Sequence, residues 1–361
     1  MKAFLKTVAI NVVLLGFLLS LFVIAVPMAL DLRDFWRAYA NAGKVSDTRH
    51  QLAAYKDESW PAQHFIEFAQ LRTVYHDFIV WRRQKFDGKT VHIDENGYRR
   101  HGSRTDTVDD AKVWMFGGST AWGTGSPDDG TIASYLEKAS GLRTFNLGET
   151  GYNAHQGLNL LMKLYVEGGR PEFVVFYDGV NEVEHKCRKD LTFFSTGQDA
   201  HIRQKLQANG PDATRTSQIF RPIAQLVARY TGGDVPADDS YNCDIDTKKA
   251  DLIARNLVND WINARLIVEA RGGKFVGVLQ PVAYVGSPNI SYMPDVEKDA
   301  MLRRQYDVVY PKIEAELVKA GVAYVDLTSI FNGKEMFYVD FCHVIPKGNE
   351  MIAAAIAKTL R

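Results

Sequence analysis

The chain has no excess of charge of either sign. Its 361 residues carry 43 Lys and Arg against 43 Asp and Glu. No basic face therefore argues for nucleic acid, no acidic tail stands out, and an electrostatic polymer binder has no support. No internal repeat, low-complexity tract or heptad series is present. Several chemical signatures are missing as well. Gly117-Gly118 is not followed by the Lys-Ser/Thr of a phosphate-binding loop, and Gly123-Thr-Gly125 fails the dinucleotide spacing. Gly118-Ser119-Thr-Ala121 lacks the Gly-x-Ser-x-Gly elbow of one large class of serine hydrolases. His155, His185 and His201, even with Cys187 two residues after His185, have no zinc spacing, so neither a metal nor another cofactor is expected.

Cysteine is scarce, with only Cys187, Cys243 and Cys342. Cys187 and Cys243 flank the same irregular region and are expected to pair, leaving Cys342 free. Closing a loop of that length stabilises by up to about 4 kcal/mol in the chain-entropy model, less any native strain.

What the chain does have begins at its N-terminus. Thr7 to Leu30 runs without a charge, long enough to cross a bilayer, which takes roughly 20 apolar residues. Lys2 and Lys6 precede this run, whereas Asp31, Arg33, Asp34 and Arg37 after it cancel. The positive-inside rule puts the N-terminus in the cytoplasm and the rest outside an inner or plasma membrane. A cleaved signal peptide is the rival reading, but its apolar region is usually about 7–15 residues, and Ala25-Val-Pro-Met-Ala-Leu30 offers no good cleavage site. Residues 1–30 are therefore read as a cytoplasmic tip and transmembrane anchor, and 31–110 as a mainly helical extension carrying Trp36, Trp60, Phe65, Phe68 and Trp81. Asn96-Gly97 marks a turn between short strands near the extension's end.

From Lys112 onward, short apolar strands alternate with helices. Strands are expected at 113–116, 143–147, 173–177, 274–280 and 322–327. Helices are expected at 128–139, 155–168, 251–270, 300–320 and 347–360. This alternation means βαβ units, hence a parallel sheet covered by helices on both faces. The segment 183–248 fits the alternation poorly and is read as an insertion that can form a lid. In such sheets ligands sit beyond the carboxyl ends of the strands. The segments Gly117-Gly-Ser119, Gly148 to Gly151 and Gly179-Val-Asn181 all fall there.

Those segments, with Asp340-Phe-Cys-His343 near the C-terminus, hold the parts of acyl transfer through a serine ester. A serine hydroxyl needs a base to take its proton, and histidine is that base near neutral pH. A carboxylate holds the imidazole in one tautomer. Backbone N–H groups of Ser119 and Gly151, with the Asn181 amide, can supply the two or three donors a tetrahedral oxyanion needs. Asp-x-x-His is a cheap pattern, and Asp47-Thr-Arg-His50 repeats it. Lying ahead of any sheet, that copy reads as a helical surface pair. Trp122, Tyr152 and Tyr177 adjoin the motifs and are candidate stacking faces for sugar rings, or else core packing.

On these four blocks, Phe116-Gly-Gly-Ser119-Thr120, Asn146-Leu-Gly-Glu-Thr-Gly151, Gly179-Val-Asn181-Glu182 and Asp340-Phe-Cys-His343, the chain resembles the SGNH (GDSL-like) hydrolase family over roughly 112–361. It departs from the family in having Gly-Gly-Ser for Gly-Asp-Ser and Glu182 where Asp is usual. The resemblance implies a flavodoxin-like three-layer α/β/α sandwich, with Ser119 as nucleophile, His343 as base, Asp340 as its orienting carboxylate, and Gly151 and Asn181 as oxyanion donors. It implies esterase, lipase, carbohydrate deacetylase or acyl-transfer activity. With the tether, the expectation is an extracytoplasmic esterase that removes small acyl groups, chiefly acetyl, from an envelope or secreted polysaccharide. Two alternatives stand beside it. One is acyl transfer onto such a glycan, fed by a membrane acyltransferase partner, and the other is a non-catalytic glycan-binding or assembly protein. The partners expected are thus an acylated glycan or other ester and the membrane, with no nucleic acid.

Overall fold

The computed structural model describes residues 1–41, 45, 47–100, 107–189 and 240–360. Most of the expected 183–248 insertion, its proposed lid role and His201 lie outside them. The chain divides into two compact units, Met1–Lys44 with Arg203–Ala237, and Val45–Ile202 with Asp238–Arg361. The described part of the first is one helix, α1 (Lys2–Asn41), in which Phe4–Phe22 is long and apolar enough to cross a membrane.

In the second unit, five strands form one parallel sheet: β5 (Val113–Gly117), β6 (Thr144–Asn146), β7 (Phe173–Asp178), β8 (Lys274–Leu279) and β9 (Tyr324–Asp326). Their order is β6-β5-β7-β8-β9, so the first strand of the sheet lies second and the chain turns back across it, as in flavodoxin-like folds. Register follows from the matched apolar runs, with Val113 opposite both Thr144 and Phe173 and Val175 opposite Val276.

The period-2 geometry of strands sorts their residues between two cores. Trp114, Phe116, Val174 and Phe176 pack on one face with residues of α5 (Ala154–Val166), α7 (Thr247–Ala270) and α9 (Ala300–Lys319), among them Leu161, Trp261 and Tyr306. Val113, Met115, Val175 and Tyr177 pack on the other with α4 (Ile132–Ser140) and α10 (Pro346–Ala357), through Leu136 and Ile356. The expected three-layer sandwich is the fold found. Cys187 and Cys243 form a disulfide, and Cys342 is free and buried.

The extension differs from its expectation in two ways. It divides at Lys44, so residues 45–100 belong to the same unit as the sheet. Within 31–110 helical turns cover more residues than strands do, but short strands enter after residue 72. Two short 3-10 turns (Thr48–Gln51 and Ala53–Tyr55) and α2 (Pro61–Gln70) are followed by two small antiparallel pairs. These are β1 (Thr73–His76) with β2 (Val80–Arg83), and β3 (Phe86–Asp87) with β4 (His92–Ile93). Trp81, read as helical, sits on β2 with 0% exposure. Aromatic content marks burial without choosing between helix and strand. The Asn96-Gly97 turn is present, with Gly97 at φ +80° and an isolated bridge from Ile93 to Arg99.

Candidate active site

Ser119, Gly151 and Asn181 enter after the carboxyl ends of strands, and Asp340 and His343 on a turn before the last helix. β5 is buried along its whole length and ends at Gly117-Gly118, after which Ser119 opens a single helical turn, α3 (Ser119–Trp122). Gly117 needs its glycine, because at φ +153° an added Cβ would stand 2.5 Å from the Tyr177 carbonyl oxygen. The loop after β6 carries Gly151 at φ +81° before Asn153 caps α5. Gly179 after β7 leads into α6 (Val180–Lys186), which carries Asn181. Asp340 and His343 occupy a tight turn before α10, closed by the Tyr338–Val344 bridge and by the Val339 N–H donating to the His343 carbonyl.

The structure brings Ser119, His343 and Asp340 into one hydrogen-bonded line. Nε2 of His343 lies 2.7 Å from Ser119 Oγ, and Nδ1 lies 2.7 Å from Asp340 Oδ2. Oδ1 of Asp340 also accepts the backbone N–H groups of Cys342 and His343, at 3.0 and 2.8 Å. Burial alone would raise the Asp340 carboxyl. The His343 imidazole and the Arg49 guanidinium outweigh it and hold the group well below the usual carboxylate range. A carboxylate so held keeps its charge beside the imidazole throughout the neutral range.

Asn181 donates one amide hydrogen to the Tyr152 carbonyl at 2.6 Å, leaving the other for a ligand. Gly118 makes this approach possible, since an added Cβ would stand 2.3 Å from Asn181 Nδ2. The departure from Gly-Asp-Ser thus coincides with the position of the Asn181 amide. Donor atoms of Asp340, Cys342 and His343 lie within 4.8 Å of one another, but carboxylate and imidazole face each other at proton-sharing distance and are occupied there. Burial keeps the Cys342 thiol protonated, the nearby Asp340 carboxylate adding to the effect. Cys187 is spent in its disulfide, while His155 pairs with Asp260 and His185 with Glu184.

The three aromatic candidates are corrected. Trp122, Tyr152 and Tyr177 are 0%, 1% and 2% exposed, and a buried ring has no face to offer a sugar. Trp122 packs against Arg99, 4.3 Å from its ring centroid, and in a T-shaped contact against Phe68. Tyr152 donates its hydroxyl to the Trp81 carbonyl, and Tyr177 lies within the sheet core.

Sequence reasoning missed the arginines of residues 45–100. Arg82, fully buried, donates to the Gly97 and Gly148 carbonyls. Arg99 donates to the carbonyls of Gly123 and Ser126 and pairs with Asp128 at 2.9 Å. Arg83 reaches Glu149 through its backbone N–H and Thr150 through Nη2, while Trp81 Nε1 donates to the Thr150 carbonyl. These contacts fix the loops after β5 and β6, including the one that presents Gly151. Arg49 reaches the site itself, with Nη1 2.6 Å from Asp340 Oδ2. Isolated arginines have no periodicity or spacing, so nothing in the sequence marks them.

No known family model matches the chain, and no curated protein does. Solved structures similar to it include a carbohydrate acetylesterase family member from Sinorhizobium meliloti, at 14% identity and TM-score 0.38 over 69% of this chain and 97% of that one. A lipolytic G-D-S-L family protein from Veillonella parvula aligns at 10% identity and TM-score 0.39 over 68% and 96%. An acetyl xylan esterase, AlAXEase, aligns at 13% identity and TM-score 0.39 over 69% and 99%. Likenesses this distant carry no activity across to this chain.

Proposed function

We propose that this protein is a serine esterase tethered to a membrane on its extracytoplasmic side, where it removes small acyl groups, chiefly acetyl, from an envelope or secreted polysaccharide. The observation that carries the reading is the unbroken line from Asp340 through His343 to the hydroxyl of Ser119, a partly exposed residue. In the first step Ser119 Oγ attacks the ester carbonyl while His343 Nε2 takes its proton. The oxyanion receives the Gly151 N–H, which has no partner among the described residues, and the second amide hydrogen of Asn181. His343 then protonates the departing sugar oxygen, and water, deprotonated by the same imidazole, releases the acyl group from Ser119.

The extracytoplasmic placement is supported by the Cys187–Cys243 disulfide, since such bonds persist in oxidising compartments, and by Lys2 and Lys6 ahead of the apolar helix. Intact mass after fluorophosphonate treatment of the full chain in detergent tests the chemistry. One adduct, absent in Ser119→Ala, is expected. Acetate release from an acetylated glycan should follow the same pattern, and transfer of the acetyl group to an acceptor glycan instead would make the protein a transferase. A well-folded protein that takes no adduct overturns the reading.

A further inference from the structure

Asp340 has a second partner besides the imidazole, and it comes from the far end of the chain. Arg49 Nη1 meets Asp340 Oδ2, the oxygen that also faces His343 Nδ1. The rest of the guanidinium is held from behind. Nε and Nη2 donate to the Asp47 carboxylate at 3.0 and 2.7 Å, the Arg49 backbone N–H donates to the same carboxylate, and the group lies 4.7 Å over the Phe65 ring of α2. All three guanidinium nitrogens thus donate to a carboxylate. A plain fastening of segment 45–60 to the sheet does not need this contact. Tyr55, 2% exposed, already makes that attachment by packing with Phe65 and Val339 and donating its hydroxyl to the Gly125 carbonyl.

We propose that Arg49, held by Asp47, is a positioning residue of the Ser119–His343–Asp340 site, which fixes Asp340 and sets how strongly His343 holds a proton. The inference rests on the esterase reading for its consequence in catalysis, but the charge arrangement stands apart from it. The four groups read outward as imidazole, carboxylate, guanidinium, carboxylate. Arg49 offsets Asp340 as seen by the imidazole, and Asp47 offsets Arg49. The other groups around the pair are Cys342 on the same turn, Tyr55 from the extension, Tyr284 from the loop after β8 and Glu184 on α6. Burial holds the thiol and both phenols neutral. The charges bearing on Asp340 and its imidazole are then those of Arg49 and, through it, Asp47, whereas Glu184 bears on Cys342 and lies 2.6 Å from His185.

The signs follow. Arg49→Met leaves two carboxylates with no cation between them, which stabilises imidazolium, so His343 titrates at higher pH and the acid limb of kcat/KM moves up. Asp47→Asn leaves Arg49 unopposed and moves both down. Shifts of about half a unit to one unit are expected, since both groups are partly exposed. Arg49→Lys keeps the charge but not the fork, so it leaves the limb in place and lowers kcat about threefold to tenfold.

The test is the His343 titration in the full chain in detergent, followed by the 13Cε1 resonance of labelled histidine, assigned by its loss in His343→Gln. It runs alongside the pH dependence of fluorophosphonate labelling in wild type and the three variants. Opposite displacements in Arg49→Met and Asp47→Asn support the proposal. Equal titrations in all four proteins overturn it, whatever the activities, and reduce Arg49 to a fastener. A wild type that takes no adduct while the resonance still shifts in opposite senses refutes the esterase and leaves the role of Arg49 standing. If Arg49→Met fails to fold, Asp47→Asn and Arg49→Lys decide alone: a downward shift in the first with none in the second supports the proposal, and no shift in Asp47→Asn overturns it.

Discussion

The chain writes Asp-x-x-His twice, and the two copies meet at one point in the structure with opposite outcomes. In Asp340-Phe-Cys-His343 the carboxylate accepts the backbone N–H groups two and three residues on, and the imidazole turns back onto that same carboxylate. Its far nitrogen is thereby aimed at Ser119. In Asp47-Thr-Arg-His50 the carboxylate also accepts the N–H two residues on, but the imidazole goes to the Asp47 backbone carbonyl at 2.6 Å. The carboxylate turns instead to the third residue, Arg49, and Arg49 crosses to Asp340. Both aspartates nucleate the same local turn. What separates them is the third residue and what lies opposite: a buried thiol with a serine in reach, or a guanidinium with an aromatic ring beneath it. The pattern fixes a turn, and only its surroundings make chemistry of it.

Removing each imidazole breaks this comparison most directly. His343→Ala should lower turnover and fluorophosphonate labelling by about 10⁴-fold or more, because serine without its base is a weak nucleophile. His50→Ala should stay within about twofold, since the hydrogen bond His50 makes among the described residues goes to a backbone carbonyl of its own turn. Rates of labelling at pH 7 for the two variants measure the contrast. A loss of comparable size in both would mean that the outer turn takes part in proton transfer.

How much of this was legible in the sequence differs between the two turns. The sheet was readable because its strands are continuous apolar runs stopped by glycine, and a parallel sheet puts the following loops on one edge. That logic put the segments of Ser119, Gly151 and Asn181 on one edge, while Asp340 and His343 were marked by their motif and by the family resemblance. It failed for Trp122, Tyr152 and Tyr177, where nearness in sequence to a motif says nothing about which way a side chain faces. Trp122 ends the one-turn helix that Ser119 begins, and its ring goes inward beneath Arg99. The outer turn was unreadable for a related reason. Asp47 to His50 looks like a surface pair until its arginine is seen to span 291 residues of sequence to Asp340. Arg82 acts on backbone carbonyls, which every residue has, and Arg99 does so as well as pairing with Asp128, 29 residues away, so no local pattern betrays them.

A smaller effect sharpens the comparison on the side of the sheet. Gly118 leaves room for the Asn181 amide, which an added Cβ would approach to 2.3 Å, with the Tyr152 carbonyl at 3.0 Å. Gly118→Ala must displace that amide by a sizeable fraction of an ångström. A donor so displaced should cost about 10- to 100-fold in kcat, with KM changed less, because its hydrogen bond matters most in the transition state. Fluorophosphonate labelling should slow yet still reach one adduct per chain. Unchanged kcat would remove Asn181 from the oxyanion and leave that charge to backbone N–H groups.

The smallest effect is expected at the third residue of the inner turn, the position that Arg49 fills in the outer one. Cys342 sits 3.5 Å from His343 Nδ1, close enough to suggest a thiolate–imidazole pair. Burial raises the thiol well above its usual value and the Asp340 carboxylate pushes it further the same way, so the neutral form persists at neutral pH. A neutral thiol 5% exposed is in effect a small apolar side chain filling the space behind the turn. Cys342→Ala should therefore keep activity within about threefold and cost about 1 kcal/mol of stability, the scale set by the small cavity it leaves. Iodoacetamide at pH 8 should leave the native Cys342 unmodified and alkylate it after unfolding. Rapid alkylation in the native protein, or a loss of labelling in Cys342→Ala to match that of His343→Ala, would show a thiolate inside the site. The inner turn would then have two charged side chains beside its aspartate, and the contrast with the arginine-bearing turn would be one of sign alone.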